Sequence, residues 1–257
     1  MIVRRHVLAD GRPGWLLISQ VDHAEVSWQL AQAWEPQKSF ADVPPLAAAI
    51  LHHDDGWQAW DLQPGVDPAT GVPRDFLHME VADAIAIWTR SIDQAAAYGI
   101  LCQWLVSSHF AALLEHSQTL SECDSRSPAR QFLSEEKTRC HALLERWLQQ
   151  GPARSVEQAA WGLKCLQFFD RFSLWFCCGE CSGLDNQAAR LTLPDDSTLT
   201  LRPQGEQTWS ASPWLWPLSE LKIEVAARWL PDGRYTGGKE VAAACQSGQR
   251  LKWRLVA

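Results

Sequence analysis

The segment Ile50-Leu51-His52-His53-Asp54-Asp55-Gly56-Trp57 carries a His-Asp doublet at the end of an apolar run, and the predicted fold is organised around it. A single His lies upstream at position 23, and an Asp lies far downstream at position 170. Each of the three sites falls on the apolar face of its own predicted helix. A buried charge without a partner is very costly. We therefore predict that a divalent metal ties three helices together through four ligands: His23, His53, Asp54 and Asp170.

The ligand types narrow the choice of metal. Imidazole nitrogens and carboxylate oxygens suit Mn, Fe, Ni, Co or Zn, and the pattern is compatible with one or two ions. Adjacent side chains on a helix point about 100° apart. His53 and Asp54 can therefore reach one ion only if their helix runs tangentially past it. A metal with an open position lowers the pKa of bound water enough to make it a nucleophile near neutral pH.

Composition limits the class of protein. The chain has 257 residues, 46% of them hydrophobic, with 15 Trp and a net charge of −7. Without a basic run, nucleic acid and anionic membranes are poor partners. No apolar stretch approaches the roughly 20 residues of a membrane helix, and the N-terminal residues do not resemble a signal peptide. We expect a cytoplasmic protein whose eight Cys are thiols, including the Cys178–Cys181 pair at a helix end.

The order of periodicities predicts an α+β fold. Alternating residues with a central turn predict a β-hairpin at 1–18, and strand patterns return after residue 190. Between them the period is helical. We predict a mainly α-helical domain at 19–180, with a small antiparallel β-sheet built from the N-terminal hairpin and from strands within 181–257. The predicted helices cover approximately 22–34, 45–56, 79–97, 99–117, 127–150 and 155–177.

The ligand pattern resembles a known superfamily. The order His23, His53-Asp54, Asp170 on a helical body is similar to the HD superfamily of metal-dependent phosphohydrolases. The wider pattern looks like a bacterial HD-like family of unknown function, through 20–23, 53–57 and 105–109. The resemblance covers nearly the whole chain and implies hydrolysis of a small phosphorylated compound, such as a nucleotide, at one or two metals. The chain departs from better-understood branches because it has no Gly-Tyr-Pro element and a long interval between Asp54 and Asp170.

Further residues are candidates for catalysis. His109 shares a helical stripe with apolar residues, and it could bind a second metal, contact a substrate phosphate or fill the core. Asp55 could orient a ligand or act as a general acid or base, and the alternative is a solvated carboxylate at a helix end. Trp57 could form a wall of the substrate site. Arg74, at the end of a long loop, could bind a phosphate or be solvated.

Two other functions remain open at this stage. Some HD-fold proteins hold two irons and activate O₂, and additional His ligands such as His109 would favour that reaction. A non-catalytic HD-like protein that binds a ligand is the third possibility. The sequence predicts a small-molecule partner, and it predicts neither the substrate, the metal nor the oligomeric state.

Overall fold

The structure is a computed structural model that describes residues 1–34, 44–117, 127–179, 188–205 and 207–257. The α-helices of this part are α1 (Gln20–Gln32), α2 (Pro44–His52), α3 (Gln58–Leu62), α4 (Val81–Ala95), α5 (Ile100–Glu115), α6 (Pro128–Leu148), α7 (Val156–Cys177) and α8 (Gly238–Ala244). The strands are β1 (Ile2–Val7), β2 (Pro13–Ile18), β3 (Ala189–Thr192), β4 (Thr198–Gly205), β5 (Thr208–Ser212), β6 (Glu220–Pro231) and β7 (Gln246–Val256). Short 3₁₀ turns occupy Asp55–Trp57, Phe76–His78 and Ala96–Tyr98.

The predicted fold class was wrong in the size and type of its sheet. Seven strands form one curled sheet in the order β1-β2-β6-β7-β5-β4-β3. The sheet is mixed, because β5 and β7 run parallel while the other neighbours are antiparallel. The N-terminal hairpin belongs to this sheet through the pairing of β2 with β6. A large half-barrel therefore accompanies the helices in place of a small sheet attached to a mainly helical domain.

The sequence patterns indicated only part of the sheet that the structure contains. Strand β6 is continuous over Glu220–Pro231, with a register shift between Ala227 and Trp229. The shift moves Trp229 and Leu230 both into buried positions and so interrupts the alternation. Strand β5, with the sequence Thr-Trp-Ser-Ala-Ser, was not predicted because its polar residues resemble a loop.

Helix positions agree closely with the periodicity. Helix α7 begins with a capping box, because Ser155 and Gln158 satisfy each other's backbone N–H groups. Helix α1 begins earlier than predicted, at Gln20, since Ser19 is the N-cap and accepts a hydrogen bond from the Asp22 N–H at 2.9 Å. Three long helices, α5, α6 and α7, pack beside α1 and α2 and form the helical layer.

One hydrophobic cluster joins the helices to the sheet. Along β6 the side chains of Ile223, Val225 and Ala227 are buried while their neighbours are exposed, so one face of the strand meets the helices. Helix α1 packs against this strand, and Gln29 exchanges two side-chain hydrogen bonds with the backbone of Glu224, at 2.9 and 3.0 Å. The sheet thereby holds α1 in a set orientation.

Two predicted features lie outside the described residues. The Cys178–Cys181 pair ends there, as does the predicted domain boundary at 180–181. Within the described part of the chain, none of the helices combines the length and apolarity required to cross a bilayer.

Candidate metal centre

Five buried side chains meet at the centre of the helical layer. His23 comes from α1, His109 from α5 and Asp170 from α7. His53 and Asp54 follow the end of α2. All five residues are at most 7% exposed. The structure thus brings together the four predicted ligands and adds His109.

The His-Asp doublet reaches the cluster because the helix stops before it. Helix α2 ends at His52, one residue earlier than the doublet. Asp54 has φ −107° and ψ 15°, which lies in the sparsely populated bridge region and not in the helical one. The two adjacent side chains are therefore not fixed 100° apart. This break, and not a tangential helix, lets both His53 and Asp54 face the same point.

Gly56 permits this break through close packing. A Cβ atom at Gly56 would lie 2.5 Å from the backbone N of Ser91 and would also overlap the carbonyl oxygen of Ile87. The Gly56 N–H donates to Ser91 Oγ at 3.0 Å. The backbone after the doublet is thus pressed onto α4, where only glycine fits.

The nitrogen and oxygen atoms of the cluster are close but mostly not hydrogen-bonded. His23 Nε2 lies 3.0 Å from Asp54 Oδ2 and 3.3 Å from Asp170 Oδ1. His53 Nε2 lies 3.5 Å and 3.4 Å from the same two oxygens. His109 Nε2 lies 3.7 Å from Asp170 Oδ2. Ligand atoms 2.0–2.3 Å from one ion, at angles of 90–109°, are separated by about 2.8–3.8 Å. The observed distances of 3.0–3.7 Å fall within this range, so these atoms could hold a metal ion.

His53 has its ring orientation set by the backbone. Its Nδ1 lies 3.0 Å from the carbonyl oxygen of Ile50, which can only accept, so Nδ1 carries the proton. In the neutral ring Nε2 then presents a lone pair to the carboxylates of Asp54 and Asp170. Among the described atoms Nε2 has no hydrogen-bond partner, although it is buried. A buried lone pair facing two anionic oxygens needs a cation or a proton between them.

The pKa shifts of His53 and Asp170 also indicate that positive charge is favoured at the centre of the cluster. Burial alone would lower the pKa of His53, but the carboxylates of Asp54 and Asp170 raise it to about 9. Burial would raise the pKa of Asp170, whereas its close contacts with the imidazoles of His53, His109 and His23 hold it well below its usual range. The carboxylates therefore stay ionised. If the imidazoles bind a metal they do so in the neutral form, and the two carboxylates then leave a charge of −2, which one divalent cation balances.

His109 differs from the other two histidines. Burial lowers its pKa to about 4, so it is neutral, although the Asp170 carboxylate acts in the opposite direction. Its Nδ1 is buried and lacks a hydrogen-bond partner among the described atoms. Its ring meets the His53 ring edge-on, with centroids 5.6 Å apart. The centre can be divided into two overlapping groups of metal-competent atoms, His23-His53-Asp54 and His53-His109-Asp170.

The two carboxylates are the more exposed side chains of the cluster. The side chains of His23 and His53 are each 1% exposed, while those of Asp54 and Asp170 are 6% and 10% exposed. The histidines are therefore the more deeply buried groups.

Asp55, predicted as a catalytic group, points elsewhere. Its Oδ2 lies 3.0 Å from His52 Nδ1, and the His52 ring stacks on Tyr98 with centroids 4.3 Å apart. Both residues line a separate acidic pocket together with Asp22 and Asp93. Burial raises the pKa of Asp55, against the charge of His52. Asp55 therefore lines this pocket, whereas its neighbour Asp54 does not.

The two predicted substrate contacts also lie apart from the five clustered side chains. Trp57 is 3% exposed, and its backbone N–H donates to the carbonyl oxygen of Asp54 at 3.0 Å. Arg74 forms an ion pair with Glu80 at 2.7 Å. It lines a surface cavity that contains Arg5 and Arg234. Trp57 is a core residue whose backbone is hydrogen-bonded to Asp54, and Arg74 lies at a separate surface cavity.

Sequence reasoning missed the hydroxyl groups that hold the centre. Ser173 Oγ lies 2.6 Å from His23 Nδ1, and Ser27 Oγ donates to Ser173 Oγ at 2.8 Å. Both serines are 0% exposed. Their spacing contained the signal, because Ser27 follows His23 by four residues and Ser173 follows Asp170 by three, which places each beside a ligand on the same helical face.

Comparison with known proteins places the chain in a different family from the one that its motif suggested. The family described as "Protein of unknown function (DUF3891)" matches residues 1–232. No curated protein and no solved structure matched the chain. The resemblance to the HD superfamily was wrong, since the match is to DUF3891 and a large curled mixed sheet beside about half helix is not a clear HD helical domain. Because the match covers most of its length, the chain belongs to the DUF3891 family.

Proposed function

We propose that this protein is a metal-dependent hydrolase that acts on a small phosphorylated compound. The observation that carries the proposal is the convergence of three imidazoles and two carboxylates in a buried cluster, with nitrogen–oxygen distances of 3.0–3.7 Å. Hydrogen-bonded core histidines would not need two adjacent ionised carboxylates. A divalent metal accounts for the spacing, the charge and the unpartnered Nε2 of His53 together.

The metal would be held by the Nε2 atoms of three histidines and by two carboxylates: His23, His53, His109, Asp54 and Asp170. Five protein donors leave one place in an octahedral set, which suits Mn, Fe, Co or Ni, while Zn would use four of them. When bound, the metal lowers the pKa of a water molecule and offsets charge on a phosphoryl group.

The residues of the chain have distinct parts in this proposal. The histidines form the dry side of the site and keep solvent from the metal's inner face. The carboxylates of Asp54 and Asp170 are the more exposed groups of the cluster, and an incoming water would approach past them. Hydrolysis would form a bond from that water oxygen to phosphorus and break the bond to the leaving oxygen, which would take up the proton that the water loses.

Elemental analysis followed by a substrate panel tests the proposal. We expect the purified protein to hold a divalent transition metal. The metal-free protein, reloaded with Mn, Co, Ni or Zn without oxygen, should release phosphate from an aryl phosphate or from a nucleotide. Asp54→Asn and His53→Gln should lose both metal and activity, because each removes a ligand. His52→Gln is the matched control for metal content, since the His52 imidazole is hydrogen-bonded to Asp55 and is not one of the proposed ligands. A protein that binds none of these metals would contradict the proposal.

Oxidation at iron is the second candidate. The group His53-His109-Asp170 has the two-histidine, one-carboxylate composition of many non-haem Fe(II) oxygenases. The distinguishing measurement is oxygen consumption by the Fe(II)-loaded protein with candidate substrates. Tightly bound iron, together with oxygen uptake and no phosphate release with any metal, would favour oxidation over hydrolysis.

A further inference from the structure

We infer that Ser173 is a positioning residue that fixes His23 as a metal ligand, with Ser27 supporting it. The inference rests on the proposed metal centre and deepens it. It concerns two buried hydroxyl groups behind the coordinating atoms. Neither serine lies among the five clustered side chains.

The hydroxyl of Ser173 has three polar neighbours. Its Oγ lies 2.6 Å from His23 Nδ1, 2.8 Å from Ser27 Oγ and 2.9 Å from the backbone oxygen of Asp170. A serine hydroxyl has one proton to donate and two lone pairs to accept with. Three neighbours therefore use its full capacity.

The identity of the neighbours assigns the protons. The Asp170 carbonyl oxygen can only accept, so it receives the Ser173 proton. The Ser27 hydroxyl donates to one lone pair of Ser173. The remaining lone pair is left to accept a proton from His23 Nδ1. This is the arrangement in which every polar atom of Ser173 is paired, and buried polar groups are strongly disfavoured when unpaired.

This proton assignment determines which atom of His23 can bind the proposed metal. With the proton on Nδ1, the neutral ring directs the Nε2 lone pair toward Asp54 Oδ2, 3.0 Å away. His53 has the same polarity, because its Nδ1 donates to the Ile50 carbonyl oxygen. Two histidines are thus oriented by buried acceptors so that both present Nε2 to the same carboxylates. Such partners orient metal-bound histidines and raise their basicity.

Ser173 also links the two helices that carry the proposed ligands His23 and Asp170. It lies one turn after Asp170 on α7, whereas His23 and Ser27 lie on α1. The hydroxyl pair is therefore a polar contact between the helix that carries Asp170 and the helix that carries His23, in addition to the approach of His23 Nε2 to Asp170 Oδ1. A shift of α1 against α7 would break this contact and move two ligands apart.

Cobalt binding tests the inference with a readout other than activity. Co²⁺ titrated into the metal-free protein gives both an affinity and a visible absorption band that reports the ligand field. We expect Ser173→Ala to weaken Co²⁺ binding by about 10- to 100-fold and to alter the band, which is the usual effect of losing such a partner. Ser173→Thr, which keeps the hydroxyl, should recover most of the affinity. Ser27→Ala should have a smaller effect in the same direction.

Ser107→Ala is the matched control for loss of a buried hydroxyl on a ligand-bearing helix. Ser107 is 0% exposed on α5, two residues before His109, but its Oγ bonds to Glu136 Oε2 at 2.5 Å, on α6. This variant should lose stability and keep its Co²⁺ affinity. If Ser173→Ala does not fold, Ser27→Ala provides the same comparison. Unchanged affinity and band in the serine variants would overturn the inference alone, whereas a wild-type protein that binds no Co²⁺ would remove both the inference and the proposed function.

Discussion

His53 Nε2 lies 3.4 Å from Asp170 Oδ1, although His53 follows the end of α2 and Asp170 lies on α7, and both residues are almost fully buried. The contact is a charge contact without a hydrogen bond, because Nε2 has no such partner among the described atoms. In a dry interior, an anion and a lone pair at this distance repel unless a positive charge lies between them. We therefore expect the stability of the protein to depend on whether a proton or a metal ion lies between these groups.

Metal removal should therefore lower stability, and ligand variants should lose this response. Saturation at 100 times the dissociation constant adds about 2.7 kcal/mol to the free energy of unfolding. We expect a chelator to lower the thermal midpoint of the wild-type protein and added metal to restore it. Asp170→Asn should show no such shift. His52→Gln, the control, should respond as the wild type does, and an Asp170→Asn protein with a full metal-dependent shift would argue against ligation.

His109 provides a test of how many side chains bind the metal. If it is a ligand, His109→Ala should reduce metal affinity, because His53 and Asp170 alone would hold that side of the centre. If it only fills the core, the substitution should lower the thermal midpoint by a cavity effect and leave the metal content unchanged. Metal content and thermal midpoint measured on the same preparation separate the two. We expect the loss of affinity, given the 3.7 Å distance from His109 Nε2 to Asp170 Oδ2.

The sequence predicted the centre better than the fold, and the reason is physical. The helical stripes that contain His23 and Asp170 have a period of 3.6 residues over many turns, so their buried faces are readable. A His or Asp on such a buried face needs a polar partner or a metal ion, because an unpaired polar group is costly to bury. The four predicted ligands are accordingly found together, although the doublet reaches the others through a helix end and not along a helical face.

The sheet could not be predicted to the same degree because its determinants are non-local. Residue pairs such as Trp15 with Leu230 join distant parts of the chain, and nothing in either local sequence identifies the partner. The parallel pairing of β5 with β7 is equally remote in sequence. Polar strand residues and the register shift in β6 further weakened the alternation. The motif resemblance failed for a related reason, since a pattern of four ligands describes a site and not the fold around it.

Gly56 connects the centre to α4, and a methyl group there should damage both. We expect Gly56→Ala to destabilise the protein by about 1–3 kcal/mol or more, the usual range for overpacking, since the Cβ would meet the backbone of Ile87 and Ser91. Because Asp54 is two residues away, metal affinity should fall as well. Gly151→Ala is the control, as a Cβ there meets nothing within 4 Å. Denaturant unfolding and metal titration of both variants check this, and equal stability of the two would refute it.

Glu136 should make stability depend on pH in a direction opposite to that of an ordinary carboxylate. Its side chain is 2% exposed, and burial raises its pKa from 4.5, against the hydrogen bond from Ser107 and the charge of Arg139. An acid whose pKa is raised on folding favours the protonated native state. Its contribution is therefore fully present below pH 4.5 and is lost as the pH rises through the folded-state value.

Glu136→Gln tests this sign directly. Glutamine keeps an oxygen that can accept the Ser107 hydrogen bond but carries no charge to bury. We expect the variant to unfold at a higher temperature than the wild type at pH 7, and the difference to shrink as the pH falls toward 4.5 and the wild-type side chain takes up its proton. Glu135→Gln, at the exposed neighbouring position, should show no such pH-dependent gain. A Glu136→Gln protein that is less stable than the wild type by the same amount at every pH would show that the ionised carboxylate, held by Ser107 and Arg139, stabilises the contact between α5 and α6.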